Sequence, residues 1–397
     1  MVVKHDHLVT NHPVTKYPVT NHIFYLFLNM RLHHIFYAFL TGLLIITAPL
    51  HINAQTDSLQ KRNNELFRKS VHLREVNKID ESSKILDQLV KNSPANMNYI
   101  YELAFNYCLK KEYDKAIPQL VAVLEYKNVN DQIYQLLGHI YDIKGQDDKA
   151  KQIFQKGLKK FPCSGPLYLE MAMLPIAASQ FDEALKYIEK GIEADPSFPS
   201  NYYYATKIYC NSDDRVWGMI YGEIFMNLER NTERTLEISK LLYKTYEKSI
   251  TFTSDSTCVV NFSDIGSYSL TGRGEKSKLK MSYGLNIYQP VISMSVIGIK
   301  KLDLASICRI RSRFIQYYFS TGVHKKYPVI LFDYELAMWN NTLLDSYSYW
   351  LLQSGNEKEY QQWKEKNKEA YQAFMFWYTQ NPLNLSKGHS FFRGQID

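Results

Sequence analysis

Residues 131–162 read DQIYQLLGHIYDIKGQDDKAKQIFQKGLKKFP, and this stretch decides the fold. Its spacing is Tyr134-x2-Leu137-Gly138-x2-Tyr141, then Ala150-x3-Phe154, then Pro162. Apolar residues three and four apart describe two amphipathic helices separated by the turn Lys144-Gly145-Gln146-Asp147. The same residue types recur 34 positions earlier, at Ile100, Leu103, Ala104, Tyr107, Ala116 and Leu120. They recur again 34 positions later, at Tyr168, Met171, Ala172, Ala184, Ile188 and Pro196. Pro94, Pro162 and Pro196 fall on one grid of that period, with Asn128 at the remaining point. A fixed period of this length marks a stacked helical repeat.

Each residue type has a packing reason. Gly138, Ala104 and Ala172 let the first helix of a pair approach the second closely, and Ala116, Ala150 and Ala184 do the same from the second helix. Tyr107, Tyr141, Leu120, Phe154 and Ile188 fill the volume between helices. Proline at the end of a unit stops the second helix, because it lacks an N–H and clashes with the preceding turn. Pro175 takes the place of Tyr107 and Tyr141, so a kink or early end is expected there. Weaker units flank the clear ones: Ile79, Leu86, Leu89 and Val90 upstream, and Tyr202, Ala205 and Tyr209 downstream, before a helix at 232–248.

These motifs resemble the tetratricopeptide repeat family, with Tyr134 at the position where Trp is usual. The expected fold is mainly α: a right-handed helical solenoid over 57–250, with clear repeats at 97–128, 131–162 and 165–196. A strand- and loop-containing segment at 251–300 and a helical region at 301–397 are expected to follow. The resemblance implies a concave face built from first helices that binds a peptide or protein segment. By position, that groove should present Asn98, Tyr101, Phe105 and Leu109, then Gln132, Gln135, His139 and Asp142, then Leu169, Met173 and Ile176. No Lys or Arg stands among these, so the family's carboxylate clamp is not expected. The groove suits an apolar or aromatic peptide; the same residues packing against the C-terminal region is the competing reading.

The rest of the sequence bounds function by exclusion. The 397 residues are 45% hydrophobic, with 17 Gly and 13 Pro, which is too apolar for a disordered chain and too poor in glycine and proline for a fibrous one. Net charge is +7 without a Lys/Arg block, which does not suit nucleic acid. Of the His residues only His72, His139, His324 and His389 lie beyond residue 54, far apart. Cys108, Cys163, Cys210, Cys258 and Cys308 lack ligand or disulfide spacing and read as buried small hydrophobes. No metal, cofactor or catalytic residue is expected.

At the N-terminus, Met30-Arg31-Leu32-His33-His34 precedes the apolar run IFYAFLTGLLIITAPL at 35–50 and a small residue at Ala54. That is the pattern of a signal peptide at 30–54, cleaved near Ala54, exporting the chain to a compartment such as the periplasm. An uncleaved leader at the membrane is the alternative. Residues 1–29 read as a mis-start or a disordered extension. Membrane contact is otherwise not expected, and an oligomer is possible on this pattern.

In the C-terminal half, residues 251–263 alternate like a strand pair, 267–280 read as a loop, and 281–299 are ambiguous between strand and helix. Three helical runs are expected, at 302–319, 331–353 and 357–378. The last two join at Ser354-Gly355-Asn356, and Trp350, Trp363, Phe374, Trp377 and Tyr378 form an aromatic core stripe. Gly272-Arg273-Gly274-Glu275-Lys276-Ser277 lacks the Gly-Lys-Ser triplet of a phosphate loop. Asp213 and Asp214 read as turn residues with nothing apolar around them. Arg309, Arg311 and Arg313 point in different directions and do not make one clamp. The reading is a non-catalytic interaction scaffold; the alternative is an enzyme or glycan-binding protein with its site in 251–397 and the repeats as a docking module.

Overall fold

The computed structural model describes residues 53–254, 257–264, 268–271, 278–386, 388 and 390–397. The leader before residue 53, the glycine-rich stretch 272–277 and His389 lie outside the described residues. The described residues up to Glu112, with Ile143–Gly145, form one compact unit; Tyr113–Asp142 and Gln146–Asp397 form the other.

The repeat region is a series of short helices in which first and second members alternate. First helices are α1 (Asn53–Glu75), α3 (Met97–Leu109), α5 (Asp131–Ile143), α7 (Gly165–Ala177), α9 (Pro199–Cys210) and α11 (Glu233–Ser249). Second helices are α2 (Ile79–Asn92), α4 (Tyr113–Ala122), α6 (Asp147–Lys160), α8 (Phe181–Ala194) and α10 (Arg215–Leu228). The starts Met97, Asp131, Gly165, Pro199 and Glu233 are evenly spaced, and so are Ile79, Tyr113, Asp147, Phe181 and Arg215. Both series keep the period read from the sequence. Local chemistry repeats with it. The side chains of Asn96, Asn130 and Ser164 accept backbone N–H groups of α3, α5 and α7, as N-caps do. The turns into α2, α4, α6 and α8 each hold one residue at positive φ: Asn77, Lys111, Gly145 and Ser179.

Packing explains the small residues. A Cβ on Gly138 of α5 would meet Phe154 Cε1 of α6 at 2.2 Å, and one on Gly157 would meet Tyr134 Cβ at 2.9 Å. Pro175 does not shorten its helix: α7 runs to Ala177 and has the same 13 residues as α3 and α5. The proline sits in the last turn, where its carbonyl still accepts the Gln180 N–H of the following turn at 2.8 Å. The shortened helix is α4, with Pro118 in its interior and 10 residues against 14 in α6 and α8.

After α11 the chain forms the antiparallel pair β1 (Ile250–Ser254) and β2 (Thr257–Val260). A second antiparallel pair follows, β3 (Tyr268–Thr271) and β4 (Lys278–Met281), where a loop was expected. Both segments alternate polar and apolar residues, a signal too short to stand out beside the intervening Gly and Ser. Residues 284–295 resolve as helix, a π-helical turn Gly284–Tyr288 running into α12 (Gln289–Ser295). The chain then makes α13 (Leu304–Ser320), α14 (Val323–Lys326), α15 (Ile330–Asn340), α16 (Leu344–Leu351), α17 (Glu357–Lys366) and α18 (Lys368–Gln380).

Two of the three expected helical runs are therefore broken. Thr342, at φ 58°, separates α15 from α16, and Asn367 separates α17 from α18. One hydrophobic core runs without interruption from Ala172 and Ala184 through Trp217, Phe225 and Leu242 to Phe314, Tyr347 and Phe374. The aromatic stripe belongs to it, with Tyr349 stacked on Trp363 at 4.2 Å. The last repeats and the C-terminal helices are thus one packed body within this unit.

Candidate functional site

The positions assigned to a groove divide sharply by exposure. In the first unit, Asn98 is exposed and Leu109 half-buried, whereas Tyr101 and Phe105 are buried. Phe105 lies under the Arg74 guanidinium at 5.2 Å, and Arg74 also pairs with Glu102. In the second unit, Gln132 is exposed, Asp142, Met173 and Ile176 are half-buried, and Gln135, His139 and Leu169 are buried. The structure thus leaves Gln132, Asp142, Met173 and Ile176 accessible along α5 and α7, with the other three beneath them.

Beneath that surface the polar groups are strongly perturbed. Gln135 Nε2 donates to Glu170 Oε1 at 3.2 Å. Burial pushes the Glu170 carboxyl up to about 8, aided by the charge of nearby Asp142, so it is largely un-ionised at neutral pH. Burial holds His139 down at about 4, as a neutral imidazole. Asp142 itself is raised, by burial and by the charge of Asp147. Glu102 and Glu170 occupy the same position in repeats two periods apart, and so do Arg74 and Asp142. The first carboxylate has a guanidinium partner; the second is neutralised by a proton.

The same spacing carried one repeat further finds Ser200, Tyr203 and Lys207 on α9 and Arg234 and Glu237 on α11. The sequence reading stopped short of them because the small-residue and proline markers fade after Pro196. Lys207 Nζ contacts Glu237 Oε1 at 2.7 Å, and Tyr203 donates its hydroxyl proton to Glu237. Arg234 pairs with Glu229, donates to Ser200 Oγ at 3.0 Å and stacks over Tyr203 at 4.9 Å. Cations do occupy this face, and acidic neighbours within the chain already hold them.

Elsewhere the structure revises two sequence readings. Asp214 is no solvated turn residue: it accepts from Ser263 Oγ at 2.8 Å, lies 3.4 Å from the Arg393 guanidinium, and burial raises its carboxyl. Its setting comes from the segment 391–397 at the far end of the sequence, which no local pattern reveals. Of the cysteines, Cys108, Cys210 and Cys308 are buried, and burial pushes the first two thiols up to about 12; Cys163 is exposed and Cys258 half-buried. No helix among the described residues is long and apolar enough to cross a membrane.

The sequence model of the tetratricopeptide repeat matches residues 131–159. The bovine BBSome complex member BBS4 is 25% identical over 141 residues, 36% of this chain and 26% of that protein, so the match spans about a quarter of BBS4. A thermophilic TPR protein of Thermus thermophilus is 14% identical, with TM-score 0.38, over 45% of this chain and 98% of that one. YrrB, described as a TPR protein with an unusual peptide-binding site, is 17% identical, with TM-score 0.31, over 47% of this chain and 98% of its own. The tetratricopeptide-repeat model thus matches one unit, 131–159, and helix pairs recur at its period on either side, the architecture of a TPR-type helical solenoid.

Proposed function

We propose that the chain is an exported, non-catalytic scaffold that takes up a protein or peptide segment on the first-helix faces of its repeats. Repeats of this class form protein–protein interaction scaffolds. The observation that supports the site is that Gln132 and Asp142, at the two ends of α5, and Met173 and Ile176, in the C-terminal half of α7, keep part of their surface accessible on first helices. Such a mixed surface fits a segment that offers apolar side chains and hydrogen-bond donors. The signal-peptide pattern at 30–54 supports export, with the chain released after cleavage near Ala54.

The test uses the chain purified from the exported fraction as bait, beside the double variant Gln132→Glu, Met173→Glu. Tyr101 and Gln135 are unsuitable, because charge at buried positions would disturb folding rather than binding. Circular dichroism of the variant checks its fold. A protein retained by the parent and at least tenfold depleted on the variant supports the site. Equal retention on both, or no retained protein, overturns it. Mass measurement of the same bait reads the N-terminus, and a chain that retains residues 30–54 overturns the export reading.

A further inference from the structure

Where α10 and α11 meet the C-terminal helices, three charged side chains share one enclosed space. Arg311 of α13, Glu223 of α10 and Glu335 of α15 are each no more than 5% exposed. The guanidinium grips Glu223 with two contacts, Nη2 to Oε1 at 2.6 Å and Nη1 to Oε2 at 2.8 Å. It reaches Glu335 Oε2 with one, at 3.3 Å. Its Nε donates to Ser348 Oγ of α16 at 2.9 Å, and Nη1 approaches the Tyr246 hydroxyl of α11 at 3.5 Å. These groups border a cavity of about 20 Å³, walled on its other sides by apolar side chains such as Ile292, Phe314 and Phe332. That volume suffices for one water molecule, and the polar lining gives it partners.

The charge balance in this space is uneven. An arginine remains a cation under all ordinary conditions. Two carboxylates beside it would leave one uncompensated negative charge in a medium where such a charge costs several kcal/mol. The other titratable groups facing the cluster are Tyr246, Tyr288 of the π-helical turn and Tyr347 of α16, all neutral acids. One carboxyl must therefore carry the proton. The bidentate grip on Glu223 leaves Glu335 as the one with spare oxygen capacity.

We propose that Glu335 stays protonated and donates its hydrogen to Glu223, making a shared-proton latch that ties the last repeats to the C-terminal helices. The proton goes no further than Glu223 while the latch is closed. On release it passes to solvent and leaves two carboxylates facing one guanidinium. Burial and the charge of Glu223 push Glu335 well above the ordinary carboxyl range, and burial pushes Tyr246 up to about 12. The sign follows: the folded chain holds a proton that the unfolded chain gives up, so the latch is fully effective below the ordinary carboxyl value and weakens as pH rises.

The experiment follows urea unfolding of the full chain from about pH 6 to pH 10, in a Glu170→Gln background that removes the carboxyl held at about 8. The unfolding constant is expected to rise with pH by up to tenfold per unit, the limit for one proton. Glu335→Gln, which keeps the donor, is expected to remove that slope and retain stability at neutral pH. Glu223→Gln, which strips Arg311 of its ionised partner, is expected to destabilise at every pH. The infrared carbonyl band of an un-ionised carboxyl should be present in the parent and lose intensity in the Glu335→Gln spectrum. An unchanged slope in Glu335→Gln, or a carbonyl band of undiminished intensity, overturns the proposal. A Glu335→Gln chain that fails to fold overturns it as well, since a protonated glutamate is what glutamine mimics.

Discussion

At the scale of single residues, the surface of α5 and α7 rests on two groups that titrate in opposite senses. His139 is held neutral in the fold, so its contribution is present above its ordinary value near 6.5 and is lost as pH falls towards about 4. Glu170 is held protonated, so its contribution is present below 4.5 and is lost as pH rises towards about 8. Between those ordinary values the two slopes oppose each other, and the wild-type profile near pH 5–6 should be shallow. Glu170→Gln keeps the hydrogen bond from Gln135 and should raise stability at pH 8 relative to pH 5 by about 4 kcal/mol, read from denaturant midpoints. A profile unchanged by this substitution would mean that Glu170 is ionised in the fold. Glycine acts at the same scale through close approach: Gly355 lies where a Cβ would meet Tyr243 Cγ at 2.1 Å, which fixes how the turn before α17 sits against α11.

At the scale of helices and turns, each of the first four helix pairs pivots on one residue in the left-handed region. Gly145 fills that place without strain, whereas Lys111 at φ 59° and Ser179 at φ 57° carry a Cβ there. The left-handed conformation costs an L-residue about 1–2 kcal/mol. Ser179→Gly should therefore stabilise the fold by about 1 kcal/mol, after allowing for the extra freedom glycine brings to the unfolded chain, and thermal unfolding measures it. A loss of stability would mean that the serine side chain holds the turn.

This scale also shows why the sequence was legible in one half and not in the other. In the repeats every small residue, cap and turn recurs at the same interval, so each element is specified several times. Beyond Ser249 nothing recurs. The breaks at Thr342 and Asn367 carry no Pro or Gly, and β3 and β4 are too short for their alternation to stand out. Exposure within the first helices was equally hidden: the pattern placed Gln135 and Gln132 on one face, but only packing shows that Glu170 comes up beneath Gln135.

At the scale of the second unit as a whole, its last residues are part of its core. Phe391 is buried on Trp217, whose Nε1 donates to Asp397 Oδ2 at 3.1 Å. The Arg393 backbone N–H donates to the Tyr221 hydroxyl at 2.8 Å, and its guanidinium donates to that of Tyr209 at 3.1 Å. Both tyrosines in turn donate to the half-buried Glu189, at 2.6 Å and 2.8 Å. Arg393→Ala should cost about 1–2 kcal/mol, since its guanidinium is partly exposed and solvent screens its ion pairs, and should shift Trp217 fluorescence to the red. A cost within about 0.5 kcal/mol would show that the terminal segment lies on the surface without holding it.

The regular spacing of helix starts has an evolutionary reading. A duplicated gene segment of one repeat's length, inserted between α7 and α9, would return the chain to the same cap, the same turn and the same contacting faces that it left. An insertion of another length within a helix would instead rotate its packing face away from its neighbours. Length variation among descendants of this gene should therefore come in whole multiples of that unit within the repeats. The helices from α11 onward share one continuous core and contain no such unit to duplicate.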